Sequence, residues 1–412
     1  MTVDVHNPDH YMASLRQLIA QGRKRIGLLV GAGGPAGILN PATGLPLIPA
    51  VQGLTETVLA DLHGKYGATL SAIRAAIQDP NIEMILSRVR SLASVIGSTQ
   101  VFGLDSAGHA ALSTEICTTI GKIVQQRLPP GPCPYTDFVT WINGSERDLP
   151  VEIFTTNYDL LFEQAFERVR APYFDGFTGS NQPFFDPSTV ANNDLPARWT
   201  RLWKLHGSLG WSAGPAGEVT RIGDSSATHL VFPEYRKYEQ TQKAPYSALF
   251  DRFRSFLTTK DTLLIATGFS FADAHISASI DECLAANPSS AVFAFQFKPL
   301  AEEACACEIA TRRSNMSVYS PDRAIINGIS ARWAPGDLPS RDWGSIRATY
   351  WDRTASTGSP CFLLGKFDRL ARFFAASRTA QQLPTDSAPP TEAANTTAGI
   401  TSSLATQSIG SE

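Results

Sequence analysis

Four short motifs in this chain carry residue types that can bind and activate a small ligand. In chain order they are centred on Gly31 to Gly34, on Asn157 and Asp159, on His206, and on Gly268 and Ser270. Each motif follows a short apolar run that predicts a buried β-strand, at 26–30, 151–155, 202–205 and 262–267. Ligands of open α/β sheets bind outside the carboxyl ends of the strands, so we expect the four motifs to meet at one site.

The first motif, Gly31-Ala32-Gly33-Gly34, allows two interpretations. A strand that ends in this pattern lets backbone amides approach a phosphate or pyrophosphate group without interference from a Cβ atom. The fingerprint is incomplete, because the sixth position of the GxGxxG pattern is Ala36. The same glycines also fit a tight turn that needs positive φ angles, and the sequence leaves both interpretations open.

Asn157 and Asp159 follow the second predicted strand. The Asn157 amide can hold a water molecule and a ribose hydroxyl together, because it both donates and accepts hydrogen bonds. The alternative is that Asn157 or Asp159 caps a helix predicted over 158–168.

His206 stands at the end of the third strand, where it can act as a general base toward a hydroxyl group or a water molecule. The alternative is a histidine that belongs to the core. After the fourth strand, Gly268 and Ser270 are candidates for contacts with phosphate or ribose. Asp273 is predicted to cap a helix over 274–286, and the sequence leaves open whether it has this structural role or a functional one.

Strands that alternate with helices predict an α/β, Rossmann-like, mainly parallel sheet with helices on both faces. The helical stretch at about 50–145, with predicted breaks at Gly64, Gly67, Asp79-Pro80 and Gly97, is too long for a simple crossover and predicts an inserted helical lobe. We expect one domain over 1–378. The Ala/Thr/Ser/Pro-rich segment 379–412 predicts a disordered, low-complexity tail.

The 412 residues are 43% hydrophobic and 18% charged, with a net charge of −3. This composition is typical of a globular protein with a substantial core, and it predicts neither direct nucleic-acid binding nor attraction to an anionic membrane. No apolar run reaches membrane-spanning length and no signal-peptide pattern is present, so we expect the cytoplasm as the compartment. The six cysteines form no CxxC pair, so we expect no zinc site and no other metal ligands.

The motifs GAGG, TTNYD, LHGS and GFS, in this order, resemble those of the sirtuin superfamily, the silent information regulator-like proteins. The resemblance covers roughly residues 24–325, with the helical lobe in place of the family's small inserted domain. The forms TTNYDxLxE (155–163), KLHGS (204–208) and GFSxxDxHI (268–276) are similar to those of bacterial sirtuin-like proteins that deplete NAD⁺ in antiphage defence.

This resemblance implies NAD⁺ as the substrate and a role for each motif. Gly31, Ala32 and Gly33, with Gly34 in the same turn, would bind the NAD phosphates. Asn157 and Asp159 would adjoin the nicotinamide and its ribose, and His206 would be the catalytic base. Gly268 and Ser270 would bind the phosphate and the adenosine-side ribose.

Two departures from the deacylating sirtuins bear on the reaction. Those enzymes carry an Asp-Phe-Arg segment after the glycine turn and four zinc cysteines in two CxxC pairs. This chain has ILNPATGLPLIP in the first place and lacks the pairs. Both departures favour hydrolysis of the nicotinamide–ribose bond over transfer to an acyl-lysine. The alternatives are a protein deacylase or ADP-ribosyltransferase, and a non-catalytic subunit that binds NAD or ADP-ribose.

An unregulated NAD⁺ hydrolase would be toxic to its host, so we expect its activity to be gated by oligomerisation or by a partner. The resemblance implies a homo-oligomer, and it implies a HerA-type ATPase/translocase as the partner.

Overall fold

The computed structural model describes residues 4–144, 146–214, 218–222, 244–338, 340, 343–352 and 360–379. The helices in this part of the chain are α1 (Pro8–Ala20), α2 (Gly33–Ala36), α3 (Val51–Ala75), α4 (Ile82–Val95), α5 (Ser106–Val124), α6 (Pro134–Asn143), α7 (Leu161–Val169), α8 (Pro187–Asn192), α9 (Tyr246–Thr258), α10 (Ala274–Ala286), α11 (Ala304–Arg312), α12 (Trp343–Tyr350) and α13 (Phe367–Thr379). A 3₁₀ turn spans Leu300–Glu302.

The strands in the same part of the chain are β1 (Val5–His6), β2 (Arg25–Val30), β3 (Glu152–Thr155), β4 (Tyr173–Phe174), β5 (Phe177–Thr178), β6 (Phe184–Phe185), β7 (Thr200–Lys204), β8 (Trp211–Ala213), β9 (Val219–Arg221), β10 (Thr262–Thr267), β11 (Ala291–Phe295), β12 (Met316–Tyr319), β13 (Arg323–Ile326), β14 (Ile329–Trp333), β15 (Trp351–Asp352) and β16 (Cys361–Phe362). Ten of them form the central sheet, in the order β1-β14-β13-β12-β11-β10-β2-β3-β7-β4. Two small antiparallel sheets contain the others.

The central sheet is mainly parallel, as predicted, and its order reverses beside β2. The chain runs outward from β2 through β3 to β7, and then crosses to β10 on the other side of β2. Antiparallel pairing within the described sheet is confined to β12, β13 and β14. The point where strand order reverses is where open α/β sheets form a ligand crevice.

Helices cover both faces of this sheet, which confirms the predicted Rossmann-like α/β class. Side chains alternate between faces along a strand. In β2, Leu28 and Val30 belong to one hydrophobic core cluster, whereas Leu29 belongs to a second cluster on the opposite face. Strands that are buried on both faces have continuous apolar sequences, which is why the sequence alone predicted β2 and β10.

The stretch predicted as a helical lobe contains α3, α4 and α5, which pack on one another, and α6, which packs on α7 and α13. The predicted breaks at Gly64 and Gly67 are wrong, since α3 runs unbroken through both positions. A helix-interior glycine costs only about 1 kcal/mol. The burial of Leu62, Tyr66 and Leu70 on the inner face of α3 offsets that cost.

The division into a domain over 1–378 and a tail over 379–412 stays a prediction. Thr379 is the last residue of α13, and residues 380–412 lie outside the described residues. Among the helices that the structure describes, none is long and apolar enough to cross a membrane.

Candidate active site

The four sequence motifs leave the central sheet at one level. In the strand register, Val30 of β2 pairs with Thr155 of β3 and with Thr267 of β10, and Thr155 pairs with Lys204 of β7. Each motif begins at one of these positions or at the residue that follows it. The carboxyl ends of four neighbouring parallel strands therefore place all four motifs along one edge of the sheet, as predicted.

The glycines of the first and fourth motifs pack backbone against backbone. A Cβ atom at Gly31 would lie 2.4 Å from the carbonyl oxygen of Gly268, and one at Gly33 would lie 2.6 Å from the Gly268 Cα. Gly268 itself has a φ of +62°, where side chains are rarely tolerated. The interpretation of Gly31, Gly33 and Gly34 as positive-φ residues is wrong, because none of them has a positive φ. Gly31 and Gly33 are instead required by the close approach of Gly268.

This packing decides which amides of the glycine turn are available to a ligand. Gly31 N–H donates to Thr267, Gly33 N–H to Gly268 and Gly34 N–H to Gly31, in each case to a carbonyl oxygen 2.9–3.1 Å away. Of the four amides in the turn, that of Ala32 alone has no acceptor among the described residues. The predicted phosphate contacts of this turn stay a prediction, and the Ala32 amide is the donor best placed to make one.

Asn157 is anchored to the glycine turn. Its side-chain Nδ2 donates to the Gly31 carbonyl oxygen at 3.1 Å, and its backbone N–H donates to Thr155 Oγ1 at 3.1 Å. The Thr155 hydroxyl in turn donates to the Val30 carbonyl at 2.8 Å. Asn157 therefore does not cap the following helix, and the alternative considered for it is wrong. With Nδ2 engaged, the half-buried amide presents Oδ1 as a hydrogen-bond acceptor.

His206 is paired with a carboxylate from the far side of β2. Its Nε2 lies 3.2 Å from Asp273 Oδ2, and the two side chains are 13% and 16% exposed. Asp273 Oδ1 also accepts from the amides of His275 and Ile276, so the predicted N-cap of α10 is present. A carboxylate this close to Nε2 favours the tautomer that carries the proton there, which leaves Nδ1 with the lone pair that a general base needs. His206 is half-buried at the edge of the sheet rather than enclosed in the core.

Asp159 lies beneath this edge rather than on it. Its side chain is 4% exposed, and Oδ1 accepts from the Leu161 amide at 3.0 Å at the start of α7. Burial raises the pKa of the Asp159 carboxyl, and the nearby Lys204 ammonium opposes that effect. The predicted contact of Asp159 with a ligand ribose stays a prediction, because the carboxyl faces a buried cluster.

Gly268 and Ser270 differ in what they offer to a ligand. Gly268 is half-buried against the glycine turn, and Ser270 is exposed two residues further on. Phe269 and Phe271 flank Ser270, are buried, and pack edge to face with centroids 5.0 Å apart. The Ser270 hydroxyl is thus presented on a fixed turn at the ligand edge.

Sequence reasoning missed two sets of residues. It predicted the capping role of Asp273 and left a functional role open, but it did not predict that the same carboxylate pairs with His206. It gave no role to Tyr135 and Lys204, which are buried below the site, or to Glu163, which is 13% exposed beside Lys204. The available signal was a charged residue inside two of the motifs, Lys204 in KLHGS and Glu163 in TTNYDxLxE, where an apolar residue would have packed at lower cost.

The cysteines are all unpaired, and Cys117, Cys133 and Cys283 are buried. Across the described residues, no group of three or more His, Cys, Asp or Glu side chains is arranged to hold a metal ion. The expected absence of zinc stays a prediction.

Residues 151–315 match the family model of the SIR2-like domain. One chain from the solved structure described as "Structural Basis for the Mechanism and Regulation of Sir2 Enzymes" is similar over 74% of this chain and 90% of that chain, with 13% sequence identity and a TM-score of 0.34. No curated protein matches the chain. The similarity to SIR2-like domains thus covers β3, β7 and β10 and the motifs that follow them, whereas the glycine turn precedes the matched range.

Proposed function

We propose that this chain is a SIR2-like NAD⁺ hydrolase that cleaves the nicotinamide–ribose bond, with Asn157 and His206 as its catalytic residues. The observation that carries the proposal is the His206–Asp273 pair, at 3.2 Å, on the same sheet edge as Asn157 and the glycine turn. The match of residues 151–315 to the SIR2-like domain supports NAD⁺ as the substrate class.

The proposed reaction consumes one water molecule and releases nicotinamide, ADP-ribose and a proton. The bond between the ribose C1′ and the pyridinium nitrogen breaks, and its electron pair neutralises the nicotinamide ring. Asn157 Oδ1 accepts a hydrogen bond from the attacking water, which holds that water at the ribose. His206 Nδ1 accepts the proton that the water loses, and Asp273 stabilises the resulting imidazolium.

The proposal is tested by Asn157→Ala and His206→Ala, assayed for nicotinamide release from NAD⁺. General-base catalysis contributes on the order of 100- to 10,000-fold, so we expect turnover to fall by at least about 100-fold in the His206 variant. Asn192→Ala and His63→Ala are matched controls, because both side chains are exposed away from the sheet edge. Turnover near the wild-type rate in either site variant would contradict the assignment.

The same assay separates the alternatives. A deacylase or ADP-ribosyltransferase would release nicotinamide only when an acyl-peptide or a target protein is added. A non-catalytic subunit would bind NAD⁺ or ADP-ribose without forming nicotinamide. Release of nicotinamide from NAD⁺ alone supports the hydrolase.

The biological setting is part of the proposal. We assign the chain to NAD⁺ depletion in bacterial antiphage defence, in the cytoplasm, as a homo-oligomer gated by assembly or by a HerA-type ATPase/translocase. An exposed apolar turn supports an assembly surface, since Leu39, which pairs with Pro46, and Leu45, which precedes Pro46, are 60% and 65% exposed. Co-purification with the product of the neighbouring gene and measurement of the mass in solution test this setting. A fully active monomer would contradict it.

A further inference from the structure

A buried cluster of four polar side chains lies directly below the candidate active site. It consists of Tyr135 from α6, Asp159 and Glu163 from the start of α7, and Lys204 from the end of β7; we call it the lysine cluster. Lys204 Nζ lies 3.0 Å from Glu163 Oε1, and the two side chains are 3% and 13% exposed. Lys204 Nζ also donates to the backbone carbonyl oxygen of Asp159.

The lysine cluster touches the segments that carry the catalytic groups. Lys204 stands two residues before His206, and Asp159 stands two residues after Asn157. The bond from Lys204 Nζ to the Asp159 carbonyl therefore ties the Asn157 segment to the strand that leads to His206. Tyr135 reaches the first motif, since a Cβ atom at Gly34 would lie 3.4 Å from its hydroxyl oxygen.

The charges in the lysine cluster are unusual for a purely structural contact. The Lys204 ammonium is paired with the Glu163 carboxyl, and its charge also acts on the Asp159 carboxyl. Asp159 Oδ2, Glu163 Oε2 and Tyr135 Oη are buried and have no hydrogen-bond partner among the described residues. Burial raises the pKa of both carboxyl groups, with that of Glu163 at about 6. Replacing a buried ion pair by apolar residues of similar volume is often neutral or stabilising, so stability alone does not explain this arrangement.

A second buried ion pair, at the start of the neighbouring strand β3, offers a contrast. Glu152 is the first residue of β3, and its carboxylate accepts from Arg252 Nε at 2.8 Å and from Trp203 Nε1 at 2.8 Å. That pair is as well buried as the lysine cluster, but it lies at the opposite end of the strand from Asn157. The effect of losing a buried ion pair on the stability of the fold is common to the Glu152–Arg252 pair and the lysine cluster. An effect on the catalytic segment belongs to the lysine cluster only.

We propose that Lys204 is a positioning residue, which holds the Asn157 segment in place beside His206 through the Asp159 carbonyl and the Glu163 carboxylate. The expected effect on kcat rests on the proposed function, whereas the expected positioning of the Asn157 segment does not. Displacement of a catalytic group by about 1 Å can cost about 100-fold in rate. Loss of the Lys204 contacts is therefore expected to lower kcat while the KM for NAD⁺ changes little.

The test compares Lys204→Met, the double variant Lys204→Met/Glu163→Gln, and the matched control Arg252→Met. We expect Lys204→Met to lower kcat by about 10- to 100-fold and to reduce the melting temperature. The double variant no longer buries the Glu163 carboxylate without its ammonium partner, so its melting temperature is expected to recover part of the way toward the wild-type value; the Asp159 carboxyl stays buried in both variants. The kcat of the double variant stays low, because the Asp159 carbonyl still lacks its donor. Arg252→Met is expected to reduce the melting temperature without lowering kcat.

Hydrogen–deuterium exchange of the backbone amides of residues 156–161 provides a readout that does not depend on turnover. Exchange in this segment is expected to be faster in Lys204→Met and in the double variant than in the wild type and Arg252→Met. If kcat and amide protection recover together with stability in the double variant, Lys204 acts only through folding and the inference is overturned. If the wild-type protein releases no nicotinamide, the proposed function fails, and the exchange comparison still decides whether Lys204 holds the segment.

Discussion

The buried carboxyl of Glu163 makes a quantitative prediction about stability and pH. Its side chain is 13% exposed, and desolvation raises the pKa from 4.5 to about 6 even though Lys204 lies 3.0 Å away. A carboxyl group whose pKa is higher in the folded state binds more protons there than in the unfolded state. It therefore contributes stability that is fully present below about pH 4.5 and is lost as the pH rises through about 6.

The perturbation that isolates this effect is Glu163→Gln, which keeps the shape of the side chain and removes its ionisation. A pKa shift of one unit corresponds to about 1.4 kcal/mol, so the shift in the Glu163 pKa corresponds to about 2 kcal/mol. We expect the unfolding free energy of the variant, relative to the wild type, to increase by about 2 kcal/mol between pH 4.5 and pH 7. The charge of Asp159 also raises the pKa of Glu163, so the difference reports this repulsion together with desolvation.

Urea denaturation followed by circular dichroism, at closely spaced pH values from 4 to 7, measures this difference. Glu308→Gln is the matched control, because Glu308 is 69% exposed in its pair with Arg312, and its difference from the wild type is expected to be flat. A flat curve for Glu163→Gln would refute the argument from burial. A curve that falls with pH would show that Lys204 stabilises the Glu163 carboxylate by more than burial destabilises it.

Two further substitutions test the geometry of the site. Asp273→Asn keeps the cap of α10, since asparagine caps helices as well as aspartate does, but it places an amide against His206 Nε2. Nicotinamide release is expected to fall by about 100-fold, with an unchanged melting temperature. The control Asp105→Asn, at the cap of α5, is expected to leave both quantities unchanged. Gly268→Ala puts a Cβ atom 2.5 Å from the Gly34 nitrogen at a φ of +62°, so both stability and turnover are expected to drop. The control is Gly97→Ala, where φ is +56° and no atom lies within 4 Å of the added Cβ. This variant is expected to lose only about 1–2 kcal/mol through its backbone conformation and to keep its activity. Equal kcat for Asp273→Asn and the wild type, or equal stability loss in the two glycine variants, would contradict the respective contact.

Much of the architecture was predictable because its signals are local. The apolar runs that became β2, β3, β7 and β10 are buried on both faces, and such strands appear in sequence as unbroken hydrophobic segments. The motif after each run was also predictable as part of a ligand edge. The unbroken course of α3 was not predictable. The weak helix propensity of Gly64 and Gly67 belongs to the local sequence, whereas the packing that overrides it involves residues far away in the chain.

The sequence by itself determined which residues stand at the ends of the strands, and hence that Asn157, His206 and the glycines share one edge of the sheet. Only the tertiary structure decided what each of them contacts. Gly31 and Gly33 pack against the backbone of Gly268, and His206 pairs with Asp273, because the chain crosses β2 before it forms β10. Such partners lie far apart in the chain and meet through the strand order, which no local pattern of residues encodes.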